Sequence, residues 1–282
     1  MILDCGNRTL DLSTPVVMGI LNVTPDSFSD GGKFNSLDNA IKQAEKMLAD
    51  GAKIIDVGGE STRPGASEVG LEEELNRVVP VVEAITTRLD VCVSVDSSAP
   101  EVMTHAADAG AHLLNDVRGF ERSGAIEAAI ASRLPICIMH MQGQPQSMQT
   151  NPSYEGVVSE VLGYLASRAK ACCAAGVPKE KIILDPGFGF GKTVEHNYQL
   201  LANMAKLTDL GYPVLAGLSR KSMLGAVLAS EDGVPRPVSE RLFASVSSAV
   251  IAAMGGAHIL RVHDVKATAD ALAVVSATLQ NK

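Results

Sequence analysis

Four polar residues stand just beyond short apolar runs and could together grip a flat, nitrogen-rich ring. Asp96 follows Val91–Val95, Asn115 follows His112–Leu114, Asp185 follows Lys181–Leu184, and Lys221 comes shortly after Tyr212–Leu218. The carboxylates only accept hydrogen bonds, while the amide both accepts and donates. Such a set suits a heterocycle carrying amino and ring N–H donors, and Lys221 can meet a carbonyl or ring nitrogen of the same ligand. A second set is cationic. Arg63, Arg261 and His263 suit an anion, since Arg holds phosphate oxygens bidentately. Asn22 ends the first apolar run. The ordinary alternative for any one carboxylate alone is a helix cap or a salt bridge.

Convergence of these groups requires elements that deliver them to one rim. Eight β-branched apolar runs read as strands: Val16–Leu21, Lys53–Val57, Val91–Val95, His112–Leu114, Pro135–Met139, Lys181–Leu184, Tyr212–Leu218 and Ala257–Val262. Most are apolar on both faces, as buried parallel strands are. Helical segments separate them. Asn35–Asp50 carries Leu37, Ile41, Ala44 and Leu48 at stripe spacing, and Gly51 supplies a stop. Leu71–Leu89 opens with Glu72, Glu73 and Glu74, favourable at the positive end of a helix dipole. Ser98-Ala99-Pro100-Glu101 reads as a capping box opening a helix that stops at Gly110. Ser153–Gly176, Val194–Leu210 and Arg241–Met254 complete the set. This alternation predicts an α/β protein with a single (β/α)8 TIM barrel over residues 1–282. An open doubly wound sheet is the alternative, weakened by the lack of G-x-G-x-x-G after the first strand. In a barrel, groups after the strands share the C-terminal rim.

Composition removes other classes. The chain has 282 residues, 46% of them hydrophobic, and a net charge of −8, so disorder and non-specific nucleic-acid binding are both disfavoured. No apolar run approaches the roughly 20 residues of a membrane span, and Asp4 and Arg8 interrupt any secretory signal. The five cysteines are scattered without a C-x-x-C pair, which fits reduced, buried thiols in a cytoplasmic protein.

Two loops stand out. The segment from Thr24 to Gly32, with Phe28, and Thr62-Arg63-Pro64-Gly65 have the turn formers and hydroxyls of loops that cover a substrate. Other patterns lead elsewhere. Gly187-Phe188-Gly189-Phe190-Gly191-Lys192-Thr193 has the look of a phosphate loop, but Pro186 stands where a Walker A glycine is needed. Its glycines read instead as close passage of backbone past a ligand after Asp185. His140, His112 and His105 match no structural zinc spacing. His196, near a helix start, reads as a solvated surface residue. Asp96 with Asp185 could suggest glycoside hydrolysis, yet Trp is absent and only 4 Tyr supply platforms for a sugar.

Seven ordered motifs resemble the dihydropteroate synthase family. They are Met18–Gly32, Asp56–Gly65, Ser94–Asp96, Asn115–Val117, Asp185–Lys192, Ser219–Ser222 and Arg261–Val265, so the likeness runs from about Val16 to Lys266. The resemblance implies condensation of 6-hydroxymethyl-7,8-dihydropterin pyrophosphate with 4-aminobenzoate, assisted by Mg²⁺, in a homodimer that sulfonamides inhibit. It implies a pterin pocket of Asp96, Asn115, Asp185 and Lys221 with apolar walls from Val117 and Met139. Arg261 would lie on the pterin face and reach the pyrophosphate. Asn22, Arg63 and His263 would form the anion pocket, with Asn22 the protein contact to Mg²⁺. Phe28, Thr62, Pro64, Phe190 and Ser222 would form the aminobenzoate site. Catalysis would rest on Lys221, Asp96, Asp185 and Arg261. Departures from the family pattern fall at Ala99, beyond Leu242 and in Ser230–Val238, away from these residues.

Two other readings share parts of this pattern. A methyltetrahydrofolate–corrinoid methyltransferase would use pterin-holding Asp and Asn residues but needs neither the two loops nor the anion-binding arginines. A non-catalytic pterin-binding protein would be expected to lose cationic or loop residues, and none is missing.

Overall fold

Runs of Val, Ile, Leu and Cys between polar turns form the strands, and the longer segments coil against their outer faces. The computed structural model describes residues 1–23, 32–60 and 69–281. A hairpin of β1 (Ile2–Asp4) and β2 (Thr9–Asp11) comes first. Then follow β3 (Val16–Asn22), α1 (Gly32–Ala49), β4 (Ile54–Gly58), α2 (Leu71–Arg88), β5 (Cys92–Asp96) and α3 (Pro100–Asp108). The chain continues with β6 (Leu113–Asp116), α4 (Ala125–Ser132), β7 (Ile136–Met139), α5 (Val157–Ala175), β8 (Ile182–Asp185), α6 (Val194–Ala202) and α7 (Met204–Thr208). It ends with β9 (Leu215–Ala216), α8 (Ser222–Val227), α9 (Leu242–Met254), β10 (Ile259–Val262) and α10 (Val265–Leu279).

Strands β3 to β10 form an eight-stranded parallel sheet in the order β8-β7-β6-β5-β4-β3-β10-β9. A parallel bridge between Leu184 and Val214 joins its two edges. The sheet is thus the (β/α)8 barrel that the alternation predicts, and the open doubly wound sheet is set aside.

Strand periodicity explains where the chemistry lies. Met18, Ile54, Cys92, Leu113, Cys137, Ile183, Leu215 and Ile259 share one apolar cluster, plugged from below by Leu3 and Leu10 of the hairpin. Their neighbours Val17, Ile55, Val93, Leu114, Ile136 and Leu260 pack outward in the helix-facing core. Two residues beyond the inner apolar set, the same face turns polar: Asp56 after Ile54, Ser94 after Cys92, Asn115 after Leu113, Asp185 after Ile183, Arg261 after Ile259. Most strands therefore supply barrel core at their start and site at their end.

Local differences from the sequence reading have identifiable causes. β9 shrinks to two residues, since Pro213 has no N–H and Val214 N–H goes to His258 Nδ1 at 3.1 Å. The helix expected over Val194–Leu210 breaks at Asn203, whose side chain donates back to Gln199 O at 2.8 Å. No capping box opens α3. Ala99 is its N-cap, the Ser98 hydroxyl donates to the Asp116 carboxylate, and Ser97 Oγ accepts the Ala99 N–H at 3.1 Å. A buried carboxylate outcompetes the helix end for that serine. Four of the five cysteines are buried, Cys173 is half-buried, and all are free thiols. Among the described residues no helix is long and apolar enough to cross a membrane.

Candidate active site

Arg261 organises the upper lumen. From β10 its guanidinium passes β3 and reaches β4 and β5, which is possible only across the barrel interior. Nε donates to Asp56 Oδ2 at 2.6 Å, and Nη2 donates to Asp96 Oδ2 at 2.6 Å. Asn115, in register with Asp96, donates from Nδ2 to the same Asp56 oxygen at 3.4 Å. Asp56 is fully buried. The strand-end reading missed it because it lies inside its run; the signal was the one carboxylate in the stretch Lys53–Val57. The sequence grouped Arg261 with free anion-binding cations, whereas the structure commits two edges of its guanidinium to carboxylates.

Asp185 and Lys221 form the facing wall. Asp185 ends β8 in register with Met139, and its Oδ1 accepts the Gly187 N–H at 2.7 Å. Lys221 is the N-cap of α8, and its ammonium lies 4.1 Å from the centre of the Phe190 ring. That contact adds a cation–π attraction. Phe188, two residues earlier, is buried in the helix-facing core, so only Phe190 of this pair faces the rim. Val117 and Met139 are buried at the ends of β6 and β7, as apolar walls would be.

The electrostatics follow from enclosure. Burial pushes the Asp96 carboxyl up to about 7, opposed by Arg261 and reinforced by Asp56, Asp116 and Glu60. Burial also raises Asp185, against the pull of the Gly187 N–H, Lys221 and Arg261. Lys221 is lowered by burial to about 8, with Asp185 drawing it back up. Burial works against the charge of Arg261, but Asp56 and Asp96 together hold it above the ordinary range. Under-compensated carboxylates of this kind gain when a ligand brings N–H donors.

The rim loops are braced to each other. Arg220 adopts a left-handed backbone (φ 60), strained for a residue with a side chain. Its N–H goes to Ser245 Oγ at 2.9 Å, and its guanidinium grips Asp264 through Nε at 2.9 Å and Nη2 at 2.5 Å. This bidentate pair ties the loop carrying Lys221 to the loop carrying His263. His263 N–H donates to Ser219 Oγ at 3.2 Å. Ser222 opens α8 and is exposed. Asn22 ends β3, half-buried and in register with Gly58.

The glycine-rich segment is a protein-facing device. A Cβ on Gly187 would sit 1.9 Å from His140 O, and one on Gly191 would sit 2.3 Å from Gln142 O. These two glycines permit close passage of backbone past backbone, not past a ligand as the sequence reading had it. Lys192 is buried and bonded to protein atoms, so it cradles no phosphate. His196 is no simple surface residue either. It completes a capping box with Thr193 at the start of α6, and its ring meets Tyr154 edge-on at 5.0 Å.

The structure thus gathers Asp96, Asn115, Asp185, Lys221, Arg261, Val117, Met139 and Phe190 at the C-terminal end of the barrel, with Asn22, Ser222 and His263 on the same rim. Phe28, Thr62, Arg63 and Pro64, with both loops that carry them, lie outside the described residues. Among the described residues no cluster of three His, Cys, Asp or Glu forms a cation cage. Asn22 offers one neutral oxygen, a sparse donor set that fits Mg²⁺, which keeps its waters and takes further ligands from substrate phosphates.

The barrel and its polar rim define a pterin-binding enzyme, and the model of the family described as "Pterin binding enzyme" matches residues 18–263. Similarity to individual proteins narrows this. The dihydropteroate synthase of Haemophilus influenzae is 58% identical over 278 residues, covering 99% of each chain. A crystal structure of the Yersinia pestis dihydropteroate synthase with a sulfonamide drug complex superposes with a TM-score of 0.93 at 54% identity, covering 99% of this chain and 100% of that one. The Xanthomonas albilineans dihydropteroate synthase with 4-aminobenzoic acid gives a TM-score of 0.91 at 46% identity, over 99% and 98% of the two chains. The chain belongs to the dihydropteroate synthase family.

Proposed function

We propose that the chain joins 6-hydroxymethyl-7,8-dihydropterin pyrophosphate to 4-aminobenzoate, giving 7,8-dihydropteroate and pyrophosphate for folate biosynthesis. The observation that carries this is the acceptor-rich floor of Asp96, Asn115 and Asp185, braced by Arg261 and faced by Lys221. The carboxylates and amide take the pterin's amino and ring N–H groups, and Lys221 meets its carbonyl or a ring nitrogen. Val117 and Met139 flank the ring, and Arg261 lies over its face. Asn22, Arg63 and His263 receive the pyrophosphate. Asn22 would hold Mg²⁺, which when bound would supply positive charge to offset that of the departing group.

The displacement is largely dissociative. The bond between the pterin methylene carbon and the ester oxygen breaks, and its electron pair leaves with pyrophosphate. The electron-rich ring and the nearby carboxylates of Asp96 and Asp185 stabilise the cation. The neutral arylamine of 4-aminobenzoate then attacks, a C–N bond forms, and the amine proton passes to solvent or pyrophosphate. An arylamine is weakly basic, so no strong general base is needed. Phe28, Thr62, Pro64, Phe190 and Ser222 enclose the aminobenzoate, and loop closure keeps water from the cation.

The chain acts as one barrel domain in the cytoplasm and as a homodimer. Support for the dimer comes from α9, where Phe243 is 84% exposed and Leu242, Ile251 and Met254 are exposed as well. An apolar patch of this kind marks an interaction surface.

A sulfonamide tests the second subsite, because it presents an aryl amine with an anionic group opposite. It is expected to raise the apparent KM for 4-aminobenzoate and leave kcat unchanged in steady-state assays. Inhibition that lowers kcat at saturating 4-aminobenzoate, or none at all, would remove the aminobenzoate site from this rim.

A further inference from the structure

Lys192 is a buried amine that the chemistry above does not use; burial draws it down to about 7, and Asp185 pulls it back toward the charged form. It is 3% exposed, and its ammonium meets His140 Nδ1 at 3.0 Å, Gly187 O at 2.9 Å and Phe190 O at 2.9 Å. With His140 O as a longer fourth contact at 3.4 Å, every partner is an acceptor, as the donors of an amino group require. His140 is buried and neutral, its pKa lowered to about 3 by burial and then by Lys192, so Nδ1 is free to accept. Tyr164 meets the His140 ring edge-on at 5.0 Å and helps fix its plane.

The segment after β8 needs this cation for one half of its course. Gly187, Gly189 and Gly191 are all left-handed, so their carbonyls point away from any strand ladder. Side chains help to collect them: Lys192 takes Gly187 O, which also accepts the Phe190 N–H at 3.1 Å, Gln149 takes Gly189 O, and Tyr154 takes Gly191 O; Lys192 takes Phe190 O as well. Asp185 is anchored otherwise, by its pairing with β7 and by His140 N–H donating to Asp185 O at 3.0 Å. Removing Lys192 therefore frees the Phe190 carbonyl, while the Asp185 backbone stays held by β7 and its carboxyl loses only one of several groups that lower it.

We propose that Lys192 is a positioning residue that sets the Phe190 ring, and through it the aminobenzoate subsite, while the pterin subsite stands without it. The inference rests on the function proposed above. It separates two KM values that a general loss of stability would move together.

Lys192→Met keeps the length of the side chain and removes the donors. Compared with wild type under the same conditions, its KM for 4-aminobenzoate should rise about tenfold or more, as expected when a substrate-positioning group is misplaced. Its KM for the pterin pyrophosphate should stay within about threefold. Where circular dichroism shows that this variant does not fold, His140→Leu, which removes only the acceptor, should give the same split at about threefold or more. No rise for 4-aminobenzoate, or an equal rise for both substrates, overturns the proposal. Wild-type protein inactive with both substrates overturns the parent function instead, so the two failures are told apart.

Discussion

Lys221→Met will give a folded protein whose turnover falls about 10²–10³-fold, the cost of removing one charge-stabilising group from an enclosed site. The substitution removes the ammonium and keeps the chain that lies against Gly189, where a Cβ would already come within 2.9 Å of Lys221 Cδ. Two effects combine. The pterin loses its cationic partner, and Asp185, already raised by burial, loses a cation that opposes that rise. Its carboxyl then rises further, which weakens it as a charged acceptor for pterin N–H donors. Stability should change little, because Lys221 is half-buried and its cation–π contact with Phe190 contributes about 0.5–1 kcal/mol. Lys221→Arg should not restore turnover, since the planar fork cannot take the place of a compact ammonium in this space. Turnover, circular dichroism and thermal unfolding of the variants check this. Near-normal turnover in Lys221→Met would remove Lys221 from the site.

Arg261→Met should damage stability as well as activity. It leaves Asp56 and Asp96 buried without their shared cation, and breaking a buried pair in this way costs about 3–5 kcal/mol. For a chain of this size the midpoint of thermal unfolding should drop on the order of 10 °C. The sign of its pH dependence follows from Asp96. Its carboxyl is raised to about 7 in the folded protein despite the opposing pull of Arg261, and without Arg261 it rises further. A raised carboxyl binds a proton in the folded state that the unfolded chain releases above about pH 4, so stability falls as pH rises through the folded value. The deficit of Arg261→Met against wild type should therefore widen as pH rises above about 7, as measured by denaturant unfolding between about pH 6 and pH 9. A pH-independent deficit would mean that the guanidinium does not govern these carboxylates. Asp56→Asn added to Arg261→Met should recover part of the loss, because it removes one uncompensated charge.

The sequence exposes most of the site because most of its groups end or follow strands. Asp96, Asn115 and Asp185 each close an apolar run, so a barrel topology alone delivers them to one rim. Asp56 is hidden by the same logic: it lies within a run, and its role depends on a contact with Arg261, 205 residues away. The pairing of Lys192 with His140, 52 residues apart, is equally invisible to local pattern. The left-handed glycines at 187, 189 and 191 can be read from sequence, but not what they approach. Ser98 shows the reverse error, in which a valid local capping pattern yields to the Asp116 carboxylate. Among the elements, α4 and α10 escape notice because Ala-rich helices such as Ala125–Ser132 show little apolar contrast. The strands of the N-terminal hairpin are only three residues each, too short for alternation to register.

One measurement bears most directly on the proposed reaction. Purified protein is incubated with 6-hydroxymethyl-7,8-dihydropterin pyrophosphate, 4-aminobenzoate and Mg²⁺, and pyrophosphate and dihydropteroate are quantified together. The expected result is equal amounts of both products, appearing only when both substrates are present. Pyrophosphate released at the same rate without 4-aminobenzoate, or intact substrates after prolonged incubation, would contradict it.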